Sequence, residues 1–329
     1  MLIHWKSLLT AALCAVVLRQ ASAQAPQITT LDIEWENAVV YTDNLADPAK
    51  LVTSANAVNL SLRNFMPNIT IADIKSVNGK PAAGYWASKA RFIMLSPNPT
   101  PGQAIGDTGR GALAETHLEI LHADGTRIGS IMSTGFAGGT APPGASPGLL
   151  GNLAVSGGTG AFLGVRGMLT FPPFTVRLAS MEEDPANRRT HGGGRGRIIV
   201  SLIPLSRPEI VSTANGPAVF HADFSPVTST RPARAGETLI VTATGLGPTR
   251  PGLSPGTPFP ESPLQEVNSP LEVTVNGKPA DVINKIGWPG TSDIYRLDIR
   301  VPDGTAPGVA MLQLTAAFMT GRDVRIPIQ

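Results

Sequence analysis

Glu115, His117 and Glu119 are the residues whose type and spacing best suit chemistry. A histidine between two carboxylates can relay a proton. With one more ligand from another strand, such as His122 or His191, it could also hold a metal. On a strand the three share one face with Leu113 and Leu121, while Ala114, Thr116, Leu118 and Ile120 share the other. If the first face lines an interior, the trio is a catalytic candidate. If it faces water, it is an ordinary solvated strand face, and the greater apolarity of the opposite face favours that alternative. Catalytic residues therefore stay unassigned beyond these three candidates, and no metal or cofactor site is expected.

Other motifs are weaker. Gly144-Ala145-Ser146-Pro147-Gly148 and Gly252-Leu253-Ser254-Pro255-Gly256 match G-x-S-x-G. A nucleophile elbow needs a backbone N–H just after its serine, and proline has none, so both are expected to be turns. No G-x-G-x-x-G or Walker-type run is present to cradle a phosphate. Arg188, Arg189, His191, Arg195 and Arg197 surround Gly192-Gly193-Gly194. They make a basic loop that either rims a site for a carboxylate or phosphate or is merely solvated and mobile. Trp35, Tyr41, Tyr85, Trp86 and Phe92 either line a pocket or pack a core.

Composition narrows the function classes. The 329 residues include 35 Gly and 30 Pro, with 42% hydrophobic and 15% charged residues. That is apolar enough for a core, and the frequent Gly and Pro favour short strands over long helices. His4 and Lys6 precede an apolar run from Leu8 to Leu18, and Ala21-Ser22-Ala23 supplies a small-x-small cleavage pattern. Residues 1–23 are thus expected to be a signal peptide cleaved near Ala23, which makes the protein secreted. The run is too short to span a bilayer, so no stable membrane insertion is expected. Without Lys6 and Arg19, the remaining chain has 24 basic and 24 acidic residues, so it lacks the basic footprint of a nucleic-acid binder. The single cysteine, Cys14, lies within the leader, which excludes disulfides and a cysteine nucleophile from the mature chain.

About eight strands can be placed before residue 205. They include Ile33–Tyr41, Ile69–Val77 ending at Asn78-Gly79, Arg91–Leu95, a hairpin of Ala112–His122 and Arg127–Phe136 about Asp124-Gly125, one strand over Met168–Leu178, and Ile198–Ile203. A short helix is allowed after Asp47-Pro48, and Glu182–Arg197 reads as a polar loop. Eight antiparallel strands close most readily into a barrel, which removes exposed edges. Pro204–Pro208 looks like a linker. Beyond it, Thr238–Thr244, Leu271–Val275, a hairpin return after Asn276-Gly277, Ile294–Val301 and Val309–Ala317 suit a small β-sandwich. The expected fold is all-β, with a barrel over 24–205 and an Ig-like β-sandwich over 206–329.

Two resemblances sharpen this reading. Glu119–Thr126 and Val155-Ser156-Gly157-Gly158-Thr159-Gly160-Ala161-Phe162-Leu163-Gly164-Val165-Arg166-Gly167 resemble the signature of the allene oxide cyclase/dirigent superfamily, with Val165 where alanine is usual. The resemblance implies an eight-stranded antiparallel barrel around an apolar pocket, often a homo-oligomer. Physically, the glycines permit positive φ and close strand approach, and Phe162 plugs the core. Ala243–Thr249 and Val273–Ala280 resemble the uncharacterised C-terminal Ig-like (IPT/TIG-type) domain of acidobacterial secreted proteins, a kind of module that supports attachment or spacing. The favoured expectation is a secreted, non-catalytic binding or assembly module, with a small apolar molecule as its ligand. The alternative is an isomerase or cyclase that holds such a molecule in one conformation.

Overall fold

A computed structural model describes residues 28–42, 65–94, 110–137 and 150–329. The expected signal peptide, the short helix after Asp47 and the first G-x-S-x-G lie outside the described residues. Among the described residues, no helix is long and apolar enough to cross a membrane.

The chain is all-β. Its first sheet contains β1 (Thr29–Thr42), β2 (Phe65–Val77), β3 (Lys80–Met94), β4 (Arg110–His122), β5 (Arg127–Ala137), β6 (Leu150–Gly160), β7 (Arg166–Phe171), β8 (Arg177–Ser180) and β9 (Gly194–Ile203). Strands β1 to β7 pair antiparallel in order, β9 pairs with β7, and β1 closes the ring by pairing with both β9 and β2. The result is a closed eight-stranded barrel. The ninth strand, β8, is parallel to the upper half of β1, in register Val39↔Arg177 to Thr42↔Ser180. It occupies the flank of β1 that β9 leaves free above Gly194.

Alternation sets the inner face. Leu31, Ile33 and Trp35 on β1, Leu118 and Ile120 on β4, and Ile198, Val200 and Leu202 on β9 are buried in one core, and so is Phe162 from the turn after β6. Asn78-Gly79 has φ of 51° and 74°, the hairpin geometry its sequence asks for. At Gly167, with φ 153°, a Cβ would overlap the Ser201 carbonyl, so only glycine lets β7 approach β9 this closely. Of the motif glycines, Gly160 has a positive φ of 61°, while Gly158 is needed because a Cβ there would overlap the Phe162 carbonyl.

Three local expectations differ from the structure. The strand expected over Met168–Leu178 is two strands, because Pro172-Pro173 cannot donate to a ladder. The strand expected at Arg91 begins at Lys80, where alanines and Gly84 hide the β pattern. The basic segment is not one loop: Asn187–Thr190 is a helical turn, and β9 already starts at Gly194.

The second sheet is curled. It contains Glu209–Ile210, Thr238–Thr244, Tyr295–Arg300, Lys278–Gly287, Leu271–Val275, Gly308–Ala316 and Met319–Thr320 in that spatial order, with Val324–Ile328 beside Gly308–Ala316. It has its own buried core, including Leu239, Val241, Leu297, Ile299 and Leu312. The tight hairpin turn Ala317-Phe318 departs from this plan. Its residues have φ of 48° and 67°, a left-handed geometry that non-glycine residues adopt at a cost. Ala317 and Met319 belong to the core of the barrel, and Phe318 packs against it.

The second sheet therefore stoppers the lower end of the barrel, where the β4–β5 turn lies. Nε2 of His122 donates to the Asn268 carbonyl at 2.6 Å, and the Asn268 amide donates to the Arg127 carbonyl. Lys80 pairs with Glu272 at the same end.

Candidate functional site

The expected trio lies on the outer face of the barrel. Ala112, Ala114, Thr116, Leu118 and Ile120 are buried, whereas Glu115 is exposed and His117 and Glu119 are half-buried on the opposite side of β4. His117 lies 3.3 Å from Glu119 and stacks on Tyr85 at 5.6 Å between ring centroids. Glu119 also pairs with Arg127, while Glu115 lies beside Lys89 and Thr134 in the sheet register. His122 is engaged at the lower end, and His191 faces Glu183 at 3.6 Å on another part of the barrel. Among the described residues, no group of three metal-ligating side chains converges. A Glu115→Ala/His117→Ala double variant is expected to lose no more than about 0.5 kcal/mol per site, read by urea unfolding.

Several buried polar side chains line the inner faces of β2 to β5. Three rungs of facing residues cross β2, β3, β4 and β5 there. The lowest is Ala72–Trp86–Leu118–Ile131, the next is Thr70–Ser88–Thr116–Ser133, and the uppermost is Asn68–Ala90–Ala114–Gly135. Large side chains thus give way upward to a row of hydroxyls and then to Asn68, two alanines and Gly135. Thr116 donates to Ser88 at 3.2 Å and Ser88 to the Glu115 carbonyl at 3.2 Å, but the buried Ser133 hydroxyl has no partner among the described residues.

An aromatic wall adjoins the lowest rung at Trp86. Trp35 and Trp86 have ring centroids 4.9 Å apart, Phe171 lies 5.4 Å from Trp86, and Phe174 lies 5.6 Å from Trp35 and 6.3 Å from Trp86. Glycine makes the wall possible. A Cβ at Gly196 would collide with Trp35 and Phe174, and one at Gly194 with the Thr175 carbonyl, so both glycines let the segment after β7 fold across the start of β9. Both indole N–H groups are buried without an acceptor among the described residues. Orphaned buried donors are uncommon, and each costs about 1–3 kcal/mol of lost solvation.

The basic segment is a strut outside this wall. Arg188, itself buried, and Arg189 both pair with Asp73 on β2, and the Asn37 amide donates to the same carboxylate at 3.1 Å. Burial works to raise the Asp73 pKa, but the hydrogen bonds from Arg189, Arg188 and Asn37 prevail and hold it below the usual carboxylate range. Arg177 grips Glu183 with bonds of 3.0 and 2.6 Å, which likewise keeps that carboxyl low. Burial pushes the neighbouring Tyr41 hydroxyl up. The carboxylate these arginines meet thus belongs to the chain itself. Arg197 similarly pairs with Asp32.

Sequence reasoning named Trp35 and Trp86 without deciding their role, and it missed the hydroxyl row. The period-two placement of Thr70, Ser88, Thr116 and Ser133 was visible, but not which strands stand side by side. The second G-x-S-x-G, Gly252–Gly256, is a turn on the second sheet's surface.

No family model matches the chain, and neither does any curated protein. Among solved structures, the chain is similar to pyocyanin demethylase at 18% identity, over 54% of this chain and 99% of that one, with a TM-score of 0.27. At that score the likeness carries no argument about this site.

Proposed function

We propose that the protein is a secreted, non-catalytic binding module whose barrel holds a small, largely apolar molecule in the upper chamber. The observation that carries this reading is the pair of buried indole N–H groups, Trp35 and Trp86, left without acceptors among the described residues in an aromatic wall. Such donors are tolerated where a ligand supplies the acceptor. The hydroxyl row opposite gives a bound molecule orientation, and among the described residues no charged side chain lies on the three rungs.

The leader-like residues 1–23 support export. The glycine-rich motif after β5 supports placing the barrel with the allene oxide cyclase/dirigent-like proteins. The hairpin signals after residue 206 support an Ig-like module that attaches or spaces the barrel. Self-association would use the outer face of β4 and β5, where exposed Leu113 lies opposite Phe136.

The test is titration of the full chain with the neutral fluorophore N-phenyl-1-naphthylamine. One saturable site with blue-shifted emission, lost in Trp86→Ala but kept in Glu115→Ala/His117→Ala, is the expected result. No saturable binding to the wild-type chain would overturn the reading.

A further inference from the structure

A groove of about 570 Å³ opens on the outside of the barrel between β1, β9 and the segment after β7, and it reaches the same aromatic wall. Trp35, Pro173 and Phe174 form its floor, and Glu34, Glu36, Lys75, Arg195 and Arg197 form its charged walls. Most of these charges are already satisfied. Lys75 pairs with Glu36 at 3.4 Å, Arg197 pairs with Asp32, and Glu34 accepts a hydrogen bond from Ser76 at 2.8 Å. The side chain of Arg195 has no partner among the described residues, whereas Glu34, which meets only the neutral Ser76 hydroxyl, stands opposite Arg197 in the sheet register, so Arg195 is the unpaired cation of the groove.

Phe174 holds a seat that a ligand ring could take. Its ring stands edge-on to both indoles, with interplanar angles of 68° to Trp35 and 87° to Trp86. It is nevertheless 37% exposed, on a short segment bridging β7 and β8.

We propose that this groove binds a planar aromatic carboxylate. Its ring takes the place of Phe174 beside Trp35 and Trp86, its carboxylate meets Arg195, and an oxygen at its inner end accepts from the indole N–H groups. Each part answers one observation. The aromatic floor favours a flat ring, the unpaired guanidinium favours a carboxylate, and the orphaned donors discriminate against a ring with no acceptor. The inference rests on the chamber reading above and adds the class of ligand and its route of entry.

Calorimetric titration of the full chain with 6-hydroxy-2-naphthoate, 2-naphthoate and the neutral 6-hydroxy-2-naphthamide tests it. The hydroxynaphthoate is expected to bind most tightly, with each of the other two weaker by on the order of tenfold. Arg195→Met should abolish the preference for carboxylate over amide while leaving amide binding unchanged. Because both ligands are compared within one variant, a change in its stability does not affect the result. Phe174→Ala, which vacates the seat, should tighten all three. Equal binding of carboxylate and amide to the wild-type chain would overturn the ligand class, while saturable binding of the neutral fluorophore would leave the chamber reading standing. Weaker binding to Phe174→Ala would overturn the displacement. Absence of binding by any of the three, and by the fluorophore, would overturn both readings.

Discussion

Asp73→Asn is expected to lower the unfolding free energy by about 3–5 kcal/mol at neutral pH, measured by urea denaturation, because it leaves the buried Arg188 guanidinium unpaired. The effect should depend on pH in a defined sense. The folded-state pKa of Asp73 lies below its unfolded value, so its stabilisation is present above the unfolded carboxylate pKa. It is lost as pH falls through the lower, folded value. The gap between wild type and Asp73→Asn should therefore be widest near neutrality and close in acid. Arg188→Met in the Asp73→Asn background should recover much of the loss, since an apolar side chain of similar length removes the stranded charge. A gap that stayed constant through the acid range would show that the carboxylate's charge is irrelevant to the strut.

Met319→Ala is expected to cost about 2–5 kcal/mol, the range for truncating a buried methionine. The more telling result is where the loss appears. Met319 lies on the second sheet but is buried in the core of the barrel. Amide exchange should therefore quicken in the lower ends of β4 and β5, not only around Gly308–Ala316. The left-handed Ala317-Phe318 turn supports this expectation. Asparagine and glycine would suit that geometry better, yet the chain keeps two side chains that reach into the barrel. Exchange confined to the second sheet would mean that the stopper contributes nothing to the barrel.

Much of the fold was legible because its signals are local. Asn78-Gly79, Asp124-Gly125 and Asn276-Gly277 each mark a hairpin, and all three are turns in the structure. The alternation along Ala112–Ile120 showed which face of β4 is buried. Features that depend on distant residues were harder to read. Asp73 and Arg188 lie 115 residues apart, so nothing in the basic segment pointed to its carboxylate partner. The strand Lys80–Met94 was hidden by small residues, one of which admits neighbouring backbone. At Gly84 a Cβ would overlap the Glu119 carbonyl. The facing of indoles and hydroxyls arises from the lateral order of β2 to β5 and from the fold of Pro172–Val176 over Gly194 and Gly196, which no single stretch of sequence encodes. Glu115, His117 and Glu119 drew attention because titratable residues stand out in a sequence. The indoles and hydroxyls that face one another inside the barrel read there as ordinary core.

Native mass spectrometry of the full chain, expressed with export and purified without organic solvent, tests the central claim most directly. A retained small molecule is expected, at one copy per barrel, released on denaturation and absent from a Trp35→Ala/Trp86→Ala variant that still folds. A folded wild-type chain of bare polypeptide mass that also takes up none of the aromatic probes would contradict the account and leave the two indoles as packing alone.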